Sequence, residues 1–298
     1  MLTPRPSLGF GLFIPAAGKS LQQLYDEFQM AEDLGFDHAW LPDHIKSPDG
    51  PPTDAMHETW TVLTAVAART SRIRLGPLVS SNTFRYPQML LKQAVTLDHV
   101  SEGRLVLGIG TGWFEDEHRR YGIDFPSAVE RVDRLEEAVQ IMRLLMDEGH
   151  GSYQGRYYRL DDAVLEPRPL QQPRIPLLIA AHRPRMLAIA ARYADQWDTF
   201  AEMPGAATEG VTEDLAAQLA RLDAACRTVG RDPAEIRRSL WTRHDALESE
   251  QTYVDFIERS RTAGFTDFSV DGPTAEDWPM VRRIAEGVLP ELRAKYAG

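Results

Sequence analysis

From one end of the 298-residue chain to the other, short apolar runs alternate with segments whose apolar residues recur at helical spacing. The runs at Leu8 to Ile14, Asp37 to Leu41, Ile73 to Val79, Arg104 to Ile109, Pro176 to Ala180, Gln196 to Thr199, Arg237 to Trp241 and Asp267 to Val270 predict eight strands. Between them the helices carry their own start and stop signals. Ser20 with Gln23 spells a capping box, Leu21, Leu24, Phe28, Ala31 and Leu34 fall on one face, and Gly35 is placed to end that helix in a left-handed turn. Ser127 with Glu130 repeats the box ahead of Val132, Leu135, Val139 and Met142. Pro87 and Pro184 suit first-turn positions, where a missing backbone donor costs little. A further stripe, Leu215, Leu219, Leu222, Cys226 and Val229, makes Cys226 a small buried apolar group rather than a nucleophile.

This alternation is the pattern of stacked βα units, and eight units of about 37 residues fit a closed (β/α)8 TIM barrel. An open doubly wound sheet is the alternative. LGFDHAWLPD and AGFTDFSVDG echo each other as helix end, Gly-Phe, strand and acid. The stretch from His150 to Gln172 is too long for a normal connection and predicts a hairpin or excursion beside the barrel mouth. No linker divides the chain, so residues 1–298 are expected to form one domain with an insertion at about 150–172.

Charge and cysteine content narrow the function classes. A net charge of -11 without long like-charge blocks argues against nucleic acid or an anionic membrane as the main partner. Cys226 is the only cysteine, which excludes an internal disulfide framework and a thiolate metal cluster. The start MLTPRPSLGF lacks a secretory pattern, and no apolar run is long enough to span a bilayer, so the expected location is the cytoplasm.

In a parallel barrel the C-terminal strand ends carry the chemistry. Ser80, Ser81, Asn82 and Thr83 close the third strand, and Gly110, Thr111 and Gly112 close the fourth; small residues there suit a flat ligand, although turn punctuation would look the same. Asp43 and His44 follow the second strand, where His44 is a candidate proton carrier and a capping Asp beside an exposed His is the alternative. Asp195, Asp198 and Asp271 make a carbohydrate-cleaving carboxylate pair conceivable. The eight histidines form no HExxH, which leaves no metal site to expect; Met56, His57, Glu58 and Trp60 read as a loop and helix start. Trp40, Phe84, Tyr86 and Trp113 lie near strand ends and could wall an apolar cavity, while Trp197 could fill the barrel. HRPRML, from His182 to Leu187, opens a helix after the fifth strand, where backbone donors with Arg183 and Arg185 suit a phosphate or form a solvated basic turn.

Taken together, AWLPDH, IRLGPLV with NTFRYP, TLDHVSEGRLVLGIGTGWFEDEHRRYG, ERVDRLEEAVQIMRLL and RYADQWD resemble the bacterial luciferase-like oxidoreductases, and within them the branch dependent on coenzyme F-420, a deazaflavin. The resemblance implies a barrel with a mid-chain insertion and a flavin or deazaflavin across its C-terminal mouth. It implies a cis peptide between Leu78 and Val79 against which the ring rests. Ser81, Thr83, Gly110, Thr111 and Gly112 would contact the cofactor, and Asp43 and His44 would match an acid-histidine pair at the reactive ring edge. Where relatives carry a glycine run for phosphate, this chain has Ala180, Ala181, His182 and Arg183. Trp113 stands where the family's sugar-phosphate dehydrogenases place an acid, which favours an apolar or aromatic substrate walled by Trp40, Phe84 and Trp113. The implied activity is hydride transfer with coenzyme F-420. The alternatives are a flavin mononucleotide (FMN) monooxygenase and a flavin- or deazaflavin-binding protein without catalysis. Family analogy also implies a homodimer acting on a small molecule.

Overall fold

The computed structural model describes residues 8–201 and 214–296. Eleven strands form among these residues: β1 (Gly9–Phe13), β2 (His38–Leu41), β3 (Arg74–Pro77), β4 (Ser80–Ser81), β5 (Leu107–Gly110), β6 (His150–Gln154), β7 (Arg159–Val164), β8 (Leu177–Ala180), β9 (Gln196–Phe200), β10 (Arg237–Thr242) and β11 (Asp267–Asp271). The α-helices between and after them are α1 (Leu21–Asp33), α2 (Thr59–Ala67), α3 (Pro87–Val100), α4 (Glu115–Tyr121), α5 (Ala128–Glu148), α6 (Pro184–Tyr193), α7 (Leu215–Thr228), α8 (Glu250–Ala263), α9 (Trp278–Arg283) and α10 (Leu289–Lys295).

Nine strands form one sheet in the order β3-β2-β1-β11-β10-β9-β8-β5-β4, and every pairing in it is parallel. The sheet closes on itself. Leu75 of β3 bridges Leu105, with Leu75 N–H donating to the Arg104 carbonyl at 3.3 Å and Val106 N–H to the Leu75 carbonyl at 2.9 Å. β3 and β4 are one stave interrupted by a cis peptide between Leu78 and Val79. The nine strands are therefore the eight staves of a (β/α)8 barrel, and the open-sheet alternative is set aside. At the closing seam a Cβ on Gly76 would lie 2.0 Å from the Val106 carbonyl oxygen, so only glycine lets these backbones approach.

Barrel strands here are buried on both faces, which is why they read as short apolar runs. One face of each packs on the helices: Leu12, Ala39, Leu75, Ile109, Ile179, Leu240 and Val270 belong to that shell. The other face fills the barrel, where Trp40, Leu78, Val106 and Leu178 meet Phe13, Val79 and Trp241. Deeper inside, the filling is polar. His38 lies 2.9 Å from Ser269 Oγ, and Trp40 Nε1–H donates to the same oxygen at 3.0 Å. Burial pushes the His38 imidazole down to about 4.

The helix signals translate into structure with two differences. Ser20 and Gln23 make the full capping box, a feature worth about 1 kcal/mol, and Gly35 takes φ 79° at the end of α1. Leu24, Phe28 and Ala31 are fully buried, but Leu21, in the first turn, is 40% exposed. Ser127 caps Glu130 N–H, yet the Glu130 carboxylate turns to Arg134 instead of completing the box. Pro87 and Pro184 open α3 and α6, and Cys226 is buried in α7.

β6 and β7 are an antiparallel pair within the 150–172 excursion. The Glu137 carboxylate of α5 accepts the backbone N–H groups of Arg156, Tyr157 and Tyr158 at 2.7, 3.0 and 3.0 Å, pinning the hairpin tip to the barrel wall. No helix among the described residues is long and apolar enough to cross a membrane.

Candidate active site at the barrel mouth

The loop leaving β2 brings Asp43 and His44 to the mouth, and they do different work. His44 Nδ1 lies 2.9 Å from Glu117 Oε1, and the second oxygen of Glu117 accepts Ile45 N–H at 3.1 Å. A carboxylate only accepts, so His44 Nδ1 carries a hydrogen and Nε2 is the nitrogen left for a ligand. Glu117 sits in the first turn of α4 and is 1% exposed. Trp113 stands edge-on to the His44 ring at 5.6 Å, with Phe114 at 6.1 Å.

Asp43 is saturated. Its carboxylate takes Arg85 Nη1–H at 2.6 Å, Arg85 Nη2–H at 3.1 Å and the backbone N–H of Ser81 at 3.2 Å. Burial alone would lower the Arg85 guanidinium, but Asp43 and Glu58 outweigh it and hold it above its ordinary value. Asp43 is thereby tied to β4 and Arg85, whereas His44 is paired with Glu117. Glu58 caps α2 through Thr61 N–H at 2.7 Å, in agreement with its reading as a helix start.

The floor is made by β4, β5 and the turn after β5. Ser81 Oγ and Thr83 Oγ1 lie 2.6 Å apart, and Thr83 Oγ1 lies 2.6 Å from His118 Nε2. Gly112 has φ 77°, and a Cβ there would lie 2.5 Å from Ser81 Oγ and 2.9 Å from Thr83 Oγ1. A Cβ on Gly110 would meet Val79 Cγ2 at 2.7 Å, beside the Leu78–Val79 cis bond. Only residues without a side chain leave this surface flat. That is the cradle a planar ring requires, so the residues present fit a flavin or deazaflavin on this side.

The aromatic wall needs correcting. Trp40 is 1% exposed and lies inside the barrel, because residues alternate across β2 and its side falls inward. Phe84 leans on the His118 ring at 4.9 Å rather than standing free. Trp113, at 51% exposed, is the ring of this group left open beside His44. Trp197 belongs to the outer shell and donates to the Ala181 carbonyl at 2.8 Å, so it does not fill the barrel.

At the far rim, the turn after β8 has less backbone to give than the sequence suggests. Ala181 N–H is used by the Asp198 carbonyl at 3.2 Å, its own carbonyl is taken by Trp197, and Ala180 ends the strand. Burial, reinforced by Arg221 and Arg183, lowers His182 to about 4, so this ring adds no positive charge. Its Nδ1 lies 3.0 Å from Thr199 Oγ1. Arg185 pairs with Asp133 across to α5. Arg183 caps α6 with no side-chain hydrogen bond into the first turn, leaving that turn's N–H groups as the donors that fit a phosphate. Asp195 faces the opposite end of the barrel, accepting Leu177 N–H at 2.9 Å. Asp198 is buried in the interior, where desolvation raises its carboxyl well above the usual range. The two are not brought together as a catalytic pair.

A family model described as luciferase-like monooxygenase matches residues 8–262. The chain belongs to that family. Among curated relatives of this luciferase-like protein, an F420-dependent glucose-6-phosphate dehydrogenase of Microbacterium testaceum is 35% identical over 92% of this chain and 94% of its own length. A second enzyme of that name, from Kineococcus radiotolerans, is 38% identical over 58% of this chain, a match spanning only 50% of the relative's length. An F420-dependent hydroxymycolic acid dehydrogenase of Mycobacterium tuberculosis is 31% identical over 78% of this chain and 62% of its own. Among solved structures, an F420-dependent secondary alcohol dehydrogenase superposes with TM-score 0.83 over 96% of this chain and 99% of its own at 20% identity, which establishes the shared fold.

Three residues of this luciferase-like site escaped the sequence reading: Glu117, Arg85 and His118. Arg85 lay inside the quoted NTFRYP, and Glu117 and His118 inside GWFEDEH. Their partners, 42, 73 and 35 positions away, appear only once the staves close.

Proposed function

We propose that this protein is a coenzyme F-420-dependent oxidoreductase that moves a hydride to or from a small apolar organic molecule. The observation carrying this reading is the His44–Glu117 pair beside Trp113, the residue that follows a floor flattened by Gly110 and Gly112. When bound, the deazaflavin supplies or receives the hydride. The protein's part is to seat the ring on Ser81, Gly110, Thr111 and Gly112 against the Leu78–Val79 bond, with Thr83 holding the Ser81 hydroxyl from behind. Arg183 and the first turn of α6 would take its phosphate tail. His44 Nε2 moves the matching proton, and Glu117 holds the imidazole in one tautomer and stabilises it when charged. Trp113 offers an apolar face to the substrate beside His44 and keeps water from that edge. Asp43, with Arg85, positions Ser81. The reading includes a cytoplasmic homodimer: family analogy supports the dimer, and a single cysteine, buried in α7, supports the compartment.

Titration of the protein with coenzyme F-420 and with FMN, followed by turnover of ketones, imines and activated alkenes, tests the proposal. His44→Ala should keep cofactor affinity within about twofold and slow turnover about 10² to 10⁴-fold. Binding of FMN alone, with oxygen consumed in turnover, would replace the proposal by a monooxygenase. Binding with no turnover of any substrate class would leave a cofactor-binding protein.

A further inference from the structure

Beneath Gly112 an imidazole and two hydroxyls stand in line, and their hydrogens can be assigned from one end. The His118 ring is fully buried between Phe84 and Phe125, with ring centroids 4.9 and 4.7 Å away. Its Nδ1 lies 2.8 Å from the Phe114 carbonyl oxygen. That oxygen cannot donate, so Nδ1 carries a hydrogen. His118 forms no ion pair among the described residues, and an unpaired buried charge is costly, so the ring is neutral and Nε2 presents a lone pair. Thr83 Oγ1, 2.6 Å away, must give its single hydrogen to Nε2. With that hydrogen used, Thr83 can only accept from Ser81, whose Oγ lies 2.6 Å off.

We propose that His118 is a positioning residue that fixes Ser81 Oγ as a hydrogen-bond acceptor toward the ligand. The Ser81 hydrogen is turned away to Thr83, and no donor among the described residues meets the remaining lone pairs. The oxygen borders the floor, since a Cβ on Gly112 would sit 2.5 Å from it. A ligand touching Ser81 must therefore offer a donor such as a ring imide N–H; a carbonyl oxygen in that place would meet a lone pair. The inference rests on the reading that a heterocycle lies on this floor, and it adds the polarity that the heterocycle must match. Asp43 contributes separately, by holding the Ser81 backbone N–H.

Two measurements test it. Without any ligand, nitrogen NMR of histidine-labelled protein should show His118 with Nδ1 protonated and Nε2 bare, and Thr83→Val should move the Nε2 signal alone. A protonated Nε2, or no response to Thr83→Val, overturns the assignment. In titrations with coenzyme F-420, Ser81→Ala should weaken binding about 10-fold, the scale of one lost hydrogen bond. Thr83→Val should weaken it about threefold in the wild-type background and not at all in Ser81→Ala, because Thr83 acts through Ser81. A Thr83→Val loss that persists in the Ser81→Ala background refutes the relay. If the wild-type protein takes up no heterocycle, the functional reading fails while the NMR result still decides the hydrogen assignment.

Discussion

Glu117→Gln is the substitution that probes the site most sharply, because it preserves shape and changes only which atoms can donate. Glu117 spends one oxygen on Ile45 N–H at 3.1 Å and the other on His44 Nδ1 at 2.9 Å. A glutamine has one oxygen and one NH2. Ile45 N–H is a fixed donor, so the amide oxygen must face it and the NH2 must face His44. The imidazole then has to accept at Nδ1 and carry its hydrogen on Nε2, the nitrogen left for a ligand. The opposite amide orientation sets two donors against each other in a buried place, at a cost of about 1 to 3 kcal/mol. Where His44 accepts a proton, the wrong tautomer blocks it; where His44 donates one, the charged ring has lost its carboxylate. Turnover should therefore fall about 10² to 10⁴-fold in both directions. The assay is kcat at saturating cofactor and substrate, forward and reverse, with cofactor affinity from titration as control. A kcat within about threefold of wild type in both directions would refute the assignment of His44 and Glu117 as the proton-handling pair.

Three further outcomes follow from other parts of the fold. His38 is lowered to about 4 inside the barrel, whereas the unfolded chain protonates near the ordinary 6.5. Between those values the unfolded state binds more protons, so His38 reduces stability by about 1.4 kcal/mol per pH unit as pH falls from 6.5 to 4, about 3 kcal/mol in all. Urea unfolding of His38→Gln across that range should show a shallower acid loss than wild type, and an identical slope would exclude His38 as a source. Gly112→Ala should weaken coenzyme F-420 at least 10-fold in titration, because its Cβ meets both floor hydroxyls. Gly122→Ala, at φ 67° with nothing within 4 Å, carries a similar backbone cost of about 1 kcal/mol and should leave affinity unchanged. Glu137→Gln removes the charge that gathers three N–H groups of the hairpin tip, so hydrogen exchange at Arg156, Tyr157 and Tyr158 should accelerate while exchange in the barrel strands stays as in wild type.

How far the chain could be read in advance depended on whether a signal was local. Strands announced themselves because each is a short apolar run between polar or glycine boundaries, and all eight staves lie within two or three residues of their expected limits. Which way a side chain points was not local. In HAWL every residue is buried, so the alternation that would reveal a solvent face is silent, and Trp40, near a strand end, was expected at the mouth rather than in the interior. The same holds for GWFEDEH. Glu115, Asp116 and Glu117 are three acids in a row, and helical rotation separates their fates. Glu115 is exposed, Asp116 pairs with Arg119 and Arg120, and Glu117 turns inward to His44. Composition cannot rank them, because their difference is about 100° of helix phase set against a loop 73 residues earlier. Asp43 illustrates the converse. Beside His44 it matched the acid of an acid-histidine pair, but its oxygens engage two arginine N–H groups and one backbone N–H instead. Adjacency in the chain suggested a catalytic pair, whereas closure of the barrel supplied His44 with a different acid and tied Asp43 to Arg85 and the Ser81 backbone.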